Sequence, residues 1–318
     1  MSEARAQQAR SSGDGAPRSL RFAKYHGTGN DFVMIEDMEN RIDLTPALVA
    51  ALCDRHLGVG ADGVIRIVPG ERAPFFMDYR NADGDVAEMC GNGIRCLAKY
   101  VHDRGLTYET GLDVETRAGK KHLALFLGDD GVETVRVDMG PPALNRGEIP
   151  MAGPPAERFV GETFPDAGPG YLATAVSMGN PHLVLVTDGD IDGLDLPRIG
   201  PPLEHHPDFP EGTNVEFVRI DDGRVDVRVW ERGSGETMAC GTGGCASLVA
   251  ASLLGKVGRR ATVRFPGGDL DIEWDTGDHV LMTGSAVFVF EGELDPSWLA
   301  RVPDAAPART GPKKEALR

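Results

Sequence analysis

From about Arg21 onward, apolar and polar side chains alternate in a way that predicts many short strands and few helices. DFVMIED, GVIRIV and PFFMDYR have the length and the β-branched or aromatic content of strands. In KHLALFLG, residues Leu123, Leu125 and Leu127 fall on one face of an extended chain. VEFVRIDDGRVDVRVW predicts a hairpin: Val225, Val227 and Val229 alternate with polar or amphipathic residues, and Asp222-Gly223 supplies the turn. LVLV, ATVRFPGGDLDIEW and VLMTGSAVFVFEGEL add further strand.

Three stretches have helical periodicity. TPALVAALCDRHLG is one, with Thr45 as its cap. After Cys90, residues Ile94, Leu97, Ala98 and Val101 fall at i, i+3, i+4 and i+7, and Arg104-Gly105 predicts the end of that helix. After Cys240, CASLVAASLLG is apolar nearly all round, as expected of a helix enclosed by sheet.

The chain thus repeats one plan: strands, a glycine loop, Cys-Gly-x-Gly, a buried helix, more strands. Asn81 lies nine residues before Cys90 and Glu231 nine before Cys240, while Asn92 and Thr242 each follow a cysteine by two. Matched polar residues in otherwise divergent sequence predict a duplicated half-site. The Gly- and Pro-rich DMGPPALNRGEIPMAGPP, from Asp138 to Pro155, is the expected boundary between halves. A length of 318 residues agrees, being long for one compact core.

Charge narrows the partners. A formal net charge of −16 argues against a nucleic-acid backbone or an anionic membrane surface. No run approaches the roughly 20 apolar residues that span a bilayer, so no membrane association is expected. Residues 1–20 and 299–318 are polar and small-residue rich and read as disordered tails, the first without the apolar core of a secretion signal. Five cysteines without an export signal predict reduced thiols and a cytoplasmic protein.

A thiol at a helix start meets orphan N–H groups and the positive end of the helix dipole, both of which favour the thiolate. Cys90 and Cys240 are therefore expected to ionise more readily than ordinary cysteines. The glycines of CGNG and CGTG let successive N–H groups turn towards an anion, most simply a carboxylate. Two such motifs facing one another would set sulfurs on opposite sides of one bound molecule. That suits inversion of a carbon bearing an acidic hydrogen: one sulfur removes the proton, the other returns one, and backbone donors stabilise the developing carbanion. The face-to-face thiols could also oxidise to a disulfide, as damage.

Other signals assign less. Cys53, Cys96 and Cys245 sit within apolar helical patterns and read as small buried hydrophobes. GVGADG, from Gly58 to Gly63, fits GxGxxG, but a helix precedes it and a strand follows, the reverse of a dinucleotide-binding unit. No Gly-x-Ser-x-Gly elbow occurs, no lysine sits in an obvious pyridoxal setting, and the eight histidines have no metal spacing. His205-His206 reads as a solvated loop, and His182 stands at the mouth of the strand LVLV. No cofactor and no metal are expected.

KYHGTGNDFVMIED, NADGDVAEMCGNGIRC, SMGNPHLVLV, EGTNVEFV and WERGSGETMACGTGGCA follow one another as in diaminopimelate epimerases, a resemblance that runs from about Arg21 to Leu294. It implies conversion of LL- to meso-2,6-diaminopimelate, a precursor of lysine and peptidoglycan, by two bases, Cys90 and Cys240, without a cofactor. The implied substrate contacts are Asn30, Asn81, Gly91, Asn92, Asn180, Asn214, Glu231, Arg232, Gly241 and Thr242, with His182 and Glu231 tuning the thiols. Gly63 stands where some members carry a substrate-contacting glutamine. The resemblance also implies an α/β (α+β) fold of two pseudo-symmetric domains, each a curved mixed sheet around a central helix, with the active site in the cleft between them. The N-terminal domain would be 21–138 plus 284–298 and the C-terminal one 139–283. Members form homodimers, and Phe290 stands near where some carry a tyrosine at the dimer contact. Proline racemases and hydroxyproline epimerases share the two-cysteine plan but show histidine where this chain has Asn92. Non-catalytic proteins of the phenazine-biosynthesis type share the fold but lack the paired cysteines.

Overall fold

The computed structural model describes residues 19–303. Strands β1 (Leu20–Gly27) and β2 (Asn30–Glu36) pair antiparallel; α1 (Pro46–Cys53) then leads to β3 (Gly63–Pro69), parallel to β2. Strand β4 (Phe75–Asn81) returns antiparallel, and α2 (Gly91–Asp103) leads to β5 (Gly111–Thr116), parallel to β4. The antiparallel strands β6 (Gly119–Gly128) and β7 (Gly131–Asp138) follow.

The same connections then recur. Strands β8 (Leu172–Ser177) and β9 (Pro181–Thr187) pair antiparallel, and α3 (Leu196–Glu204) leads to β10 (Asn214–Asp221), parallel to β9. Strand β11 (Arg224–Glu231), flanked by the short β12 (Gly235–Thr237), precedes α4 (Gly241–Leu253), which leads to β13 (Arg260–Phe265), parallel to β11. The antiparallel β14 (Gly268–Trp274) and β15 (Val280–Ser285) close the series. Antiparallel pairing of β7 with β15 joins the two series into one sheet, and β16 (Val287–Leu294) crosses back to pair with β1. A last turn of helix, α5 (Pro296–Leu299), follows.

Local chemistry accounts for the boundaries. At the β10–β11 turn, Asp222 (φ 48°) and Gly223 (φ 77°) are both left-handed, the conformation that a two-residue hairpin needs. Thr45 caps α1 by accepting from Leu48 N–H at 3.2 Å. That helix stops at Cys53, short of the stretch its periodicity predicts, because Asp54 accepts from the N–H groups of His56 and Leu57, each at 2.7 Å, and turns the chain. VLMTGSAVFVFEGEL forms two strands, divided at Ala286.

Each series wraps a helix. Nearly every residue of α4 from Gly241 to Ala251 is buried, as its composition predicts. Helix α2 is enclosed as completely despite its polar residues. Its Arg95 donates to Gly91 O (3.1 Å), Ser285 O (3.2 Å) and Thr28 Oγ1 (3.1 Å), and Lys99 donates to Val132 O (2.8 Å), so neither cation is left without acceptors. One apolar core runs from Ile94 and Leu97 of α2 to Leu248 and Val249 of α4, and separate clusters lie beneath α1 and α3. No helix among the described residues is long and apolar enough to cross a membrane. Residues 1–18 and 304–318 of the expected tails lie outside the described residues, whereas Leu299 and Val302 pack against the cluster beneath α1.

Candidate active site

Cys90 and Cys240 occupy the same position in the two series, the N-cap of the enclosed helix. Both have extended backbone (φ −136°, ψ 119° and φ −122°, ψ 118°), and each sulfur accepts the N–H of the third residue on, Gly93 or Gly243, at 3.4 Å. Their own carbonyls accept from Ile94 and Gly244 at 2.9 Å, which starts the helices. The two helix starts abut. A side-chain carbon added to Gly91 would lie 3.6 Å from Gly241 Cα, and one added to Gly241 would lie 3.4 Å from Gly91 Cα, so the two loops stand within van der Waals reach of each other, and Met282 crowds both positions, at 3.0 Å and 3.1 Å. First-turn N–H groups at Gly91, Asn92, Gly241 and Thr242 have no helix carbonyl to bond.

Amide side chains from strand ends surround this point. Asn30 opens β2, with its Nδ2 held by Asp62 Oδ2 at 2.7 Å and its Oδ1 3.7 Å from Cys90 Sγ. Asn92 Nδ2 donates to Asn30 Oδ1 (3.4 Å) and to Ala239 O (3.1 Å), tying the first cysteine loop to the residue before the second cysteine. Asn81 closes β4 directly across from Gly63. A side chain at Gly63 would meet Arg80 O at 2.5 Å and the Tyr79 ring at 2.6 Å, which leaves backbone alone at that position.

In the second series, Asn214 opens β10 in register with His182. Its amide is already engaged, donating to Pro181 O at 3.0 Å and accepting from Arg232 N–H at 2.9 Å. The Arg232 guanidinium donates to Glu211 O at 2.9 Å. Asn180 Oδ1 lies 3.1 Å from His182 Nε2, and Thr242 Oγ1 lies 3.4 Å from Cys240 Sγ. The Glu231 carboxylate accepts from the Thr237 hydroxyl and faces Cys240.

The electrostatics correct one expectation. Burial pushes the Cys90 thiol up to about 11 and the Cys240 thiol well above the ordinary range, and the Gly93 and Gly243 N–H groups only partly oppose this. Desolvation of the thiolate outweighs the help of the helix start at both cysteines. Burial also raises the Glu231 carboxyl, against the hydrogen bond from Thr237. Cys53, Cys96 and Cys245 are buried, and burial pushes each of these thiols up to about 12.

The structure adds a residue absent from the sequence-based set. Glu216 of β10 is fully buried, with Oε1 2.7 Å from His182 Nδ1. Val215 and Phe217 pack beneath α3, which turns the residue between them towards α4, so alternation along β10 was the available signal. Among the described residues no group of His, Cys, Asp and Glu could hold a metal ion. His206 pairs with Asp166 at 2.7 Å and not with a ligand partner, and the GxGxxG match lies between α1 and β3.

A sheet-wrapped pair of helices, each begun by a cysteine and ringed by strand-end amides, defines a class of α/β proteins built on a repeated strand–cysteine–helix plan. The sequence model of the family described as diaminopimelate epimerase matches residues 22–145 and 174–289. The chain is 48% identical over 277 residues to a diaminopimelate epimerase of Pelotomaculum thermopropionicum, covering 86% of this chain and 98% of the relative. It is 49% identical over 278 residues to one of Acetivibrio thermocellus, covering 87% and 99%. A probable proline racemase from Agrobacterium radiobacter shares the fold with TM-score 0.66 at 19% identity, over 90% of this chain and 95% of that one. A phenazine biosynthesis protein of Bacillus anthracis does so with TM-score 0.62 at 17% identity, over 87% and 99%. The chain belongs to the diaminopimelate epimerase family.

Proposed function

We propose that the protein epimerises LL-2,6-diaminopimelate to meso-2,6-diaminopimelate by a two-base reaction that uses no cofactor. The observation that carries this is the pair of cysteines capping two abutting helix starts, Cys90 on α2 and Cys240 on α4. With the reacting carbon between them, one sulfur takes the α-proton as thiolate while the other delivers its own from the opposite face. The N–H groups of Gly91, Asn92, Gly241 and Thr242 receive the α-carboxylate and meet the negative charge that grows on it as the C–H bond breaks. Asn30, Asn81, Asn180, Asn214, Glu231 and Arg232 bind the distal amino acid, whose ammonium and carboxylate suit amide dipoles and a charge pair. A substrate without that distal group forgoes these contacts and binds less well. Gly63 contributes backbone beside Asn81, and His182 and Glu231 act on the thiols.

The same reading takes 21–138 with 284–298 and 139–283 as the two lobes of the cleft. It takes the enzyme as a cytoplasmic homodimer. Strand β16 supports a dimer, because Val287, Phe288, Val289 and Phe290 are each at least 40% exposed on the terminal strand of the sheet.

The test is solvent deuterium exchange. Purified protein in D2O should incorporate one deuterium at the α-carbon of LL-diaminopimelate and yield the meso isomer, and should leave proline and hydroxyproline unlabelled. Labelling of proline but not of diaminopimelate would overturn the assignment.

A further inference from the structure

Equivalent positions in the two series differ behind the two cysteines. In the first, Phe32 of β2 pairs with Gly63 of β3, and Ile65 follows two residues later. In the second, His182 of β9 pairs with Asn214 of β10, and Glu216 follows two residues later. The match extends to the helices. A side-chain carbon placed on Gly93, the third residue after Cys90, would meet Ile65 Cδ1 at 2.6 Å; one placed on Gly243, the third after Cys240, would meet Glu216 Oε1 at 2.6 Å. So an apolar pair, Phe32 and Ile65, backs the first thiol, and a polar pair, His182 and Glu216, backs the second.

The polar pair is enclosed. Both side chains are fully buried, Glu216 Oε1 lies 2.7 Å from His182 Nδ1, and Glu216 Oε2 is buried with no hydrogen-bond partner. An acidic group with a bare oxygen thus lies against the helix start whose N–H groups would stabilise a thiolate on Cys240. The charged groups facing Cys240 are Glu231 from β11 and Glu216 from β10, both acidic, with the polar contacts Thr242 and Gly243 N–H on its own helix. Cys90 faces Glu231 too, but its second charged neighbour is the cation Arg95, beside its Asn92 and Gly93 N–H contacts.

We propose that Glu216, through His182 and the first turn of α4, is a positioning residue that makes the two thiols inequivalent, keeping the proton on Cys240 and leaving Cys90 as the thiol that gives up its proton first. This rests on the two-base reading above. The proton balance is complete without further reactants. Cys90 takes the α-proton, Cys240 gives its own to the opposite face, and exchange with water then returns the proton to Cys240 and removes one from Cys90. The Cys90 thiol, pushed up less than that of Cys240, fits this order.

The experiment isolates each thiol. In Cys90→Ala and Cys240→Ala backgrounds, the pH midpoint of iodoacetamide labelling is measured at the remaining active-site cysteine by peptide mapping. Midpoints are used because access alone changes rates and not midpoints. Lone Cys240 should titrate at higher pH than lone Cys90. Adding the near-isosteric Glu216→Gln should lower the Cys240 midpoint by about one unit or more, the effect of removing a neighbouring like charge, and leave the Cys90 midpoint in place. Equal midpoints in the two backgrounds, an unmoved Cys240, or equal movement of both thiols would overturn the proposal. Replacing the pair by its first-series counterpart, His182→Phe with Glu216→Ile, should narrow the gap between the two midpoints, the remainder being due to Arg95 beside Cys90, and an unchanged gap would also overturn it. Turnover of diaminopimelate by the unmodified enzyme is assayed apart: its absence overturns the two-base reading, which the midpoints do not address.

Discussion

Cys90 and Cys240 carry the sharpest residue-level expectation. A relay with one base removed either cannot take the proton or cannot return it. Cys90→Ala and Cys240→Ala should therefore each lower kcat by at least about a hundredfold. Cys53→Ala, whose thiol lies in the cluster beneath α1, should keep kcat within about twofold of the parent. A coupled assay following meso-diaminopimelate separates these outcomes, and near-normal turnover by either active-site variant would rule out the relay. Gly63 gives a second test. Its missing side chain is required by Arg80 O, 2.5 Å from where a Cβ would sit. Gly63→Ala should cost about 1–3 kcal/mol of stability in denaturant titration, the usual range for overpacking. A neutral result would mean that β3 and β4 can part without cost.

At the scale of elements, the enclosed helices set how stability responds to pH. Cys96 in α2 and Cys245 in α4 are fully buried, and burial pushes both thiols from an ordinary 9.0 up to about 12. The unfolded chain loses these protons from about pH 9 and the folded chain only near pH 12. Their contribution is thus fully present below pH 9 and is lost as pH rises towards 12. The slope is about 1.4 kcal/mol per pH unit for each thiol. Unfolding midpoints in urea should fall between pH 8 and pH 10.5, and Cys96→Ala with Cys245→Ala should flatten that fall; an unchanged slope in the double variant would refute the assignment. Both helices were legible in sequence, because a glycine loop, a capping cysteine and an apolar run coincide in each. Helix α3 was not. It carries Pro197, Gly200, Pro201 and Pro202, a composition that argues against any helix, and its position owes to burial of Leu196 and Leu203 and to Trp230 packed against Gly200. Glu216 stayed hidden for a related reason. A glutamate within a strand ordinarily faces water, and only the cover over both faces of β10 turns it into a buried partner of His182. The residues named from motifs were thus easier to find than those fixed by what packs around them.

For the whole molecule, the exposed apolar strand β16 is where the proposed dimer can be tested. If two copies meet there, Phe288→Asp with Phe290→Asp should convert a dimer into a monomer in light-scattering chromatography while the fold, read by circular dichroism, persists. An unaltered dimer would put the interface elsewhere. Pairing of that strand with β1 has a consequence in time as well as in space. Leu20 leaves the ribosome long before its partner Leu294 has been translated. Until then β1 is an unprotected edge, and the early half waits for its last strand with apolar β-surface open to solvent and to neighbouring nascent chains. Synthesis of this enzyme therefore has a vulnerable interval, one that ends only when β16 emerges and settles against β1.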